Sequence, residues 1–286
     1  MSILGAIVVL SWQTIRAEVR LSLSDDRYSY IVLIPVVSAA IIIWKRDIVF
    51  RHADVCLRWG VPALLLGVIG YCATSRWPLF VDSSITVALE GLGIVLMLVG
   101  GFVACYGAQC TRAALFPLLF LLLTIPVPGF ILASAVAGLQ EGSAQITAVL
   151  FHMMGVPVVR HGMKFSLPGV DIEIAEQCSG IRSSLSLFIS GLVASYLLLH
   201  AAGKRVLFSL LTVPVAIFKN AVRIVTLSWL GVYVNQGFLH GRLHRYSGLP
   251  VSLLALAILA PAVLALRRLE TPQSPGFSKT PETAEV

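Results

Sequence analysis

Long apolar runs separated by short polar stretches dominate the pattern along the chain. Several of these runs approach the roughly 20 apolar residues that an α-helix needs to cross a bilayer. The predicted spans are residues 29–44, 60–75, 85–106, 113–126, 179–200, 205–222 and 249–266, with a weaker run at 3–12. The pattern predicts an all-α multipass membrane bundle of about eight transmembrane helices, in which residues 3–12 form either a short span or an interfacial helix.

The segment 127–178 is too long and too patterned for a passive connection. Apolar residues recur in it at helical spacing, which predicts an extracytoplasmic amphipathic helix lying near the membrane surface. They are Leu139, Ile146, Val149, Leu150 and Met153.

Strict alternation of apolar and polar residues follows, which is typical of a half-buried strand. The alternating apolar residues are Met163, Phe165, Leu167, Val170, Ile172 and Ile174. Two short strands joined around Pro168-Gly169 place all six on one face, so we predict a short β-hairpin. The second strand leads the chain directly to Cys178.

Composition indicates an integral membrane protein. Of 286 residues, 57% are hydrophobic and 12% are charged, whereas soluble domains carry about 25% charged residues. The net charge of +7 does not indicate nucleic-acid binding, because the basic residues flank apolar runs. The five cysteines form no CxxC pair and no disulfide framework. We expect one membrane domain over 1–268 and a disordered cytoplasmic tail over 269–286.

Basic residues indicate which ends of the spans face the cytoplasm. Three clusters follow or precede predicted spans, and the positive-inside rule places all of them in the cytoplasm. They are Lys45-Arg46 with Arg51 and Arg58, Lys204-Arg205, and Arg267-Arg268. Loop 76–84, loop 127–178 and the region 223–248 then face outward. The basic residues that nevertheless fall on the outer side are Arg160, Lys164, Lys219, Arg223, Arg242 and Arg245.

Cys178 lies where a polar loop meets a membrane-length apolar run. Ser179-Gly180 provides a helix start, and the free N–H groups of a helix N-terminus favour a thiolate and can bind an oxyanion. Cys178 is therefore a candidate nucleophile. The alternative is an inert buried thiol.

Arg223 and Asn220 interrupt a later apolar run, and a spacing of three residues places both on one helical face. An arginine at the membrane edge usually meets a polar partner, so Arg223 is a candidate anion-stabilising group. A snorkelling side chain is the alternative. Arg182, one turn into the helix after Cys178, either faces the same cavity or snorkels.

His244 lies in a polar loop that enters the last span. A histidine of near-neutral pKa can deprotonate a thiol and protonate an amine; a surface histidine is the alternative. His240 lies four residues before His244, which suggests a two-histidine metal site. No carboxylate or third histidine accompanies the pair at ligand spacing, so we predict no metal and no cofactor. Glu176, Asp171 and Glu173 orient a base, act as counter-ions to Arg160 and Lys164, or are solvated.

The chain resembles the exosortase/archaeosortase family over about residues 29–266. The residues carrying the resemblance are Phe116-Pro117, Ile125-Pro-Val-Pro128, Leu139-Gln140, Gly155-Val-Pro157, Leu167-Pro-Gly169, Ala175-Glu-Gln-Cys-Ser-Gly-Ile-Arg-Ser183, Asn220-Ala-Val-Arg-Ile224, and His244 with Gly248. Cys-Ser-Gly-Ile-Arg combined with a later Asn-x-x-Arg and His is highly specific.

This resemblance implies a bacterial inner-membrane cysteine enzyme whose active site faces the periplasm. Cys178 is then the nucleophile, Arg223 the oxyanion or substrate-anchoring group and His244 the acid/base, with Glu176, Ser179, Gly180, Arg182 and Asn220 in support. Its partners are C-terminal sorting signals of exported proteins (a Pro-Glu-Pro-type motif, a transmembrane helix and a basic cluster), membrane lipid, and a lipid, glycan or water acceptor. In archaeal members an arginine can replace the histidine.

Two other functions remain compatible with the residues alone. One is a non-catalytic transporter or scaffold for exopolysaccharide export, for which alkylation of Cys178 has no effect. The other is an intramembrane serine protease that uses Ser179 or Ser183, for which serine substitution stops cleavage.

Overall fold

The computed structural model describes residues 3–76, 83–167, 170–174, 180–234 and 248–270. Eleven α-helices lie within these ranges. They are α1 (Ile3–Leu10), α2 (Trp12–Ser24), α3 (Leu33–Trp44), α4 (Arg46–Val49), α5 (Leu57–Arg76), α6 (Ser83–Ala113), α7 (Leu115–Phe120), α8 (Gly129–Met153), α9 (Ile181–Leu198), α10 (Ala202–Tyr233) and α11 (Gly248–Arg268).

Five of the described helices, α5, α6, α9, α10 and α11, are long and apolar enough to cross a bilayer. A sixth span results if the bent pair formed by Leu115–Thr124 and α8 counts as one. The multipass helical architecture is thus present, but the predicted count of eight is not confirmed. Over the predicted span 29–44, α3 is 12 residues long, and over the run at 3–12, α1 has only 8.

Helices α9 and α10 pack side by side in opposite directions. Ser195 near the end of α9 lies 3.4 Å from Ser209 near the start of α10, hydroxyl to hydroxyl. At the other end, Lys219 of α10 bonds to Ser183 in the first turn of α9. Helix α11 packs on both. The beginning of α9 and the second half of α10 therefore share one end of the bundle.

The helix predicted within 127–178 is present as α8, which packs along α10. A 95° bend separates α8 from Leu115–Thr124 at residues 125–128, which contain Pro126 and Pro128. Beyond the bend, Ser143 accepts a hydrogen bond from Asn220, and Leu150 and Met154 share a groove with residues 222–229 of α10. The second half of α8 thus runs alongside α10 in the same direction.

The face that α8 buries also differs from the predicted apolar stripe. Val149 and Met153 are exposed, while Leu139, Ile146 and Leu150 are half-buried. The buried residues are Leu132, Val136, Ser143, Ala144, Thr147 and Phe151. Small and hydroxyl side chains permit close approach to α10, because backbones of packed membrane helices come together where side chains are short. Of the predicted stripe, Val149 and Met153 therefore remain on the outer face.

A three-stranded antiparallel sheet follows α8, with the order β1 (Val159–His161), β2 (Lys164–Leu167) and β3 (Val170–Glu173). The register pairs Phe165 with Ile172 and Leu167 with Val170, which confirms the predicted hairpin; Pro168 and Gly169 lie outside the described residues. Strand β1 was not predicted, because three residues are too short for an alternation signal. Phe165, Leu167 and Ile174 pack with Ala144, Phe151, Ile224 and Val225 of α8 and α10.

The three basic clusters assigned to the cytoplasm lie at one end of the bundle. Lys45 and Arg205 both contact the Tyr196 ring, at 4.1 and 5.1 Å from its centroid. Glu270, just after Arg267-Arg268, accepts backbone hydrogen bonds from His200 and Ala201. The first turn of α9 lies at the opposite end, since 18 helical residues span about 27 Å.

Candidate functional site

The described part of the predicted site consists of Gly180, Arg182, Asn220 and Arg223. Cys178, Glu176 and Ser179 fall within 175–179, and His244 falls within 235–247, so these four lie outside the described residues. The structure therefore shows how the chain enters and leaves the segment that contains Cys178, and which side chains surround its exit.

The entry to this segment is fixed by Ile174, immediately after β3. Its backbone N–H donates to the Met163 carbonyl at 3.0 Å, and its own carbonyl accepts from Gln140 Nε2 at 3.1 Å. Its side chain is buried. The hairpin thus anchors the chain against α8 before residue 175.

The exit is fixed by Gly180, which precedes the first residue of α9. Its φ of +70° lies in the left-handed region that favours glycine. Its carbonyl accepts from the backbone N–H of Ser184 at 2.8 Å and from the Ser183 hydroxyl at 3.0 Å. A β-carbon at this position would stand 2.8 Å from Asn220 Oδ1. Glycine is therefore required both by the backbone conformation and by the approach of α10.

Asn220 connects Gly180, at the end of this segment, to α8. Its side chain is buried, and its Nδ2 donates to the Ser143 hydroxyl at 3.1 Å. Gln140, which holds the entry, lies one turn before Ser143 on the same helix. Both ends of the segment containing Cys178 are consequently attached to neighbouring positions of α8 and α10.

Arg223 follows Asn220 by one helical turn, as the spacing predicts, and its side chain is half-buried. The next residue, Ile224, packs against the hairpin. Arg182 instead lies on the exposed side of α9. The fold therefore brings Gly180, Asn220 and Arg223 to one region of the bundle and leaves Arg182 at its periphery.

Lys219 also belongs to this region, although the sequence indicated only that it is one of the basic residues on the outer side. Its side chain is 2% exposed, and its Nζ donates to the Ser183 carbonyl at 3.0 Å. A signal was present, because a lysine directly before Asn220 interrupts the same apolar run. Sequence alone did not show that it points into the bundle and not toward the membrane surface.

The basic residues of the hairpin region have acidic partners. Arg160 Nη2 donates to both carboxylate oxygens of Glu141, each at 2.8 Å, and Lys164 Nζ lies 3.7 Å from Glu173 Oε2. The counter-ion role predicted for Glu173 is present. Glu141, on α8, was not among the predicted partners of Arg160.

An apolar groove opens between α8 and α10 beside Arg223. Its volume is about 290 Å³, and it is lined by Leu150, Met154, Val222, Val225, Thr226 and Trp229. The groove offers apolar contacts along the part of α10 that contains Arg223. In the described ranges, no group of three or more His, Cys, Asp or Glu side chains has the arrangement of a metal site; His240 and His244 lie outside those ranges.

Comparison with known proteins gives one family match. The sequence model of the transmembrane exosortase family matches residues 17–261. No curated protein matches the chain, and no solved structure matches it.

Proposed function

Since the chain belongs to the transmembrane exosortase family, we propose that it is a membrane-embedded cysteine peptidase and transpeptidase. It cleaves the C-terminal sorting signal of exported proteins, which consists of a Pro-Glu-Pro-type motif, a transmembrane helix and a basic cluster. The protein moiety is then transferred to an outer-surface lipid or glycan acceptor, or to water.

The arrangement around Gly180 and Asn220 is the observation that carries this proposal. Only Ser179 separates Cys178 from Gly180 in the chain, and two residues extend over at most about 7 Å. Gly180 contacts Asn220, which lies one turn from Arg223. The position of Gly180 thus favours a short separation between the thiol, the start of α9 and the guanidinium group.

The chemistry follows from these side chains. His244 accepts the proton of the Cys178 thiol, and the thiolate sulfur bonds to the carbonyl carbon of the scissile peptide. Arg223 and the N–H groups at the start of α9 stabilise the resulting oxyanion. The oxyanion collapses, the C–N bond breaks, and His244 returns the proton to the leaving amine. A hydroxyl, an amine or water then attacks the thioester and regenerates the thiol.

Sidedness supports a periplasmic reaction. The basic clusters at Lys45 and Arg205 lie at one end of the bundle, and Asn220 stands 15 residues from Arg205, or about 22 Å along α10. Because basic clusters favour the cytoplasm, we place the protein in the bacterial inner membrane with Cys178 and Arg223 toward the periplasm.

The test is co-expression with a tagged candidate substrate, followed by mass spectrometry of its mature C-terminus. Cys178→Ala and Cys178→Ser should insert normally and leave the substrate uncleaved. Cys105→Ser is the matched control, because Cys105 is an exposed thiol in α6, and it should cleave as the wild type does. Normal cleavage by Cys178→Ser would refute the nucleophile assignment.

Alkylation of Cys178 and substitution of the two serines distinguish this function from the two others. A transporter or scaffold would retain its function after alkylation of Cys178. A serine protease would lose activity on substitution of Ser179 or Ser183. Ser183 is a poor candidate, because its hydroxyl is already bound to the Gly180 carbonyl.

A further inference from the structure

We propose that Lys219 is a positioning residue of this site, whose buried ammonium group holds the first turn of α9 and favours the thiolate form of Cys178. The inference rests on the function proposed above. It assigns a role to a side chain that takes no part in the bond-making steps, since Lys219 neither gives nor receives a proton in them.

The first argument is the placement of Lys219 beneath the start of α9. Its Nζ reaches the Ser183 carbonyl at 3.0 Å, and the Ser183 hydroxyl in turn reaches the Gly180 carbonyl at 3.0 Å. The neighbouring Asn220 contacts Gly180 directly. Two successive residues of α10 thus hold the same turn of α9, immediately after the segment that contains Cys178.

The second argument is the burial of the ammonium group without a described anion. Lys219 is 2% exposed, and among the described residues no carboxylate lies within ion-pair distance of it. The nearest charged group on α10 is Arg223, one turn on and also positive, and Arg182 adds a third positive charge on α9. A buried charge is costly unless an opposite charge compensates it.

Two buried hydroxyl groups on the helices that pack against α10 also lack a hydrogen-bond partner among the described residues. Ser184, on the α9 turn that follows Gly180, and Thr147, one turn after Ser143 on α8, are both buried. Neither hydroxyl oxygen has a hydrogen-bond partner within the described ranges. Ser184 directly follows Ser183, whose carbonyl binds Lys219. The start of α9 beside Lys219 therefore contains a buried hydroxyl group as well as a buried cation.

These features lead to an electrostatic role. A cation near a thiol lowers the thiol pKa, because it stabilises the charged form. The effect is greater where water is excluded, because the effective dielectric constant is lower there. With Lys219 present, a larger fraction of Cys178 is thiolate at neutral pH, and His244 needs to remove a proton from a smaller fraction of the enzyme.

The experiment measures the pH dependence of Cys178 alkylation in the full-length protein in detergent micelles. Iodoacetamide is the probe, because it is uncharged and reacts with the thiolate. Trypsin cuts after Lys164 and Arg182 and so releases residues 165–182, whose single cysteine is Cys178. Mass spectrometry of this peptide reports the modification of Cys178 alone, without interference from the other four cysteines.

Lys219→Met, Lys219→Arg and Lys204→Met are compared with the wild type. Lys204 is the matched control, since it lies on the same helix 15 residues earlier, about 22 Å away. We expect Lys219→Met to raise the pH at which alkylation of Cys178 reaches half its maximal rate by about one unit. Alkylation at pH 7 is then about tenfold slower. Lys219→Arg retains the charge and should have a midpoint close to that of the wild type. Lys204→Met should leave the midpoint unchanged.

An unchanged midpoint in Lys219→Met overturns the proposal, even if substrate cleavage is lost, because that combination indicates a structural role only. If Lys219→Met does not insert, Lys219→Gln provides the same measurement, since glutamine retains a hydrogen-bond donor without the charge. Failure of this inference and failure of the proposed function give different results. Cleavage by Cys178→Ser would refute the nucleophile, whereas the alkylation midpoint tests Lys219 whether or not a substrate is cleaved.

Discussion

Asn220 lies so close to Gly180 that a β-carbon on Gly180 would stand 2.8 Å from Asn220 Oδ1. This contact joins the start of α9 to α10 directly after the segment that contains Cys178.

Gly180→Ala should reduce both stability and cleavage. The left-handed backbone costs a non-glycine residue about 1–2 kcal/mol, and the added methyl group must displace the Asn220 side chain. Thermal unfolding in detergent micelles and the cleavage assay measure the two effects. Gly203→Ala is the control, because it lies in α10 with no atom within 4 Å of the added carbon; equal behaviour of the two variants would contradict the prediction.

Ser143 and Asn220 should be energetically coupled. Ser143→Ala leaves a buried amide without its acceptor, which costs about 1–3 kcal/mol of unfolding free energy. Asn220→Ala in the Ser143→Ala background should then cost less than in the wild type, with a coupling of about 1 kcal/mol. Ser186→Ala, on the exposed side of α9, should be nearly neutral. Additive effects of the two substitutions would disprove the coupling.

Arg223→Lys should reduce cleavage by about 100-fold, since lysine retains the charge but loses the planar fork that binds an oxyanion. Alkylation of Cys178 should remain within about twofold of the wild type, because the charge is still present. Arg268→Lys, at the exposed end of α11, is the control for a general effect of the substitution. A cleavage rate that remains within a few-fold of the wild type would exclude Arg223 from oxyanion binding.

Thr226→Trp should fill the groove between α8 and α10. Thr226 is exposed and lines the groove, whose volume of about 290 Å³ exceeds that of the added ring. If the groove receives apolar residues beside the sorting motif, cleavage falls at low substrate levels while Cys178 alkylation is unchanged. Leu210→Trp introduces the same ring at an exposed position of α10 outside the groove. Equal cleavage by the two variants would show that the substrate does not use the groove.

Glu18→Gln should change how stability depends on pH. Burial, followed by the charge of Glu90, raises the pKa of Glu18 to about 7. Because the folded state holds this proton more tightly than the unfolded state, stability falls as pH rises from about 4.5 to about 7 and then levels off. Glu18→Gln should remove this decline and stabilise the protein at pH 8 by up to about 3 kcal/mol.

The control for Glu18→Gln is Asp25→Asn, because the stability contributed by Asp25 depends on pH in the opposite direction. Hydrogen bonding from Arg27 lowers the pKa of Asp25, so the contribution of Asp25 is present above its unfolded pKa and is lost as pH falls through the lower folded value. Unfolding temperatures between pH 4 and pH 9 distinguish the two variants. A wild-type decline that persists in Glu18→Gln would mean that another group titrates.

Local patterns along the chain predicted the membrane class, most of the long helices, the hairpin register and the one-turn spacing of Asn220 and Arg223. These features depend on local order: the length of an apolar run, a period of two and a spacing of three residues. Packing between the helices established that α8 follows a 95° bend and runs beside α10, that Arg182 is peripheral and that Lys219 is buried. The direction in which a side chain on an apolar helix points depends on which neighbour packs there, and lipid and protein interior attract the same apolar residues. Periodicity alone therefore did not distinguish the protein-facing side of these helices from the side that faces lipid.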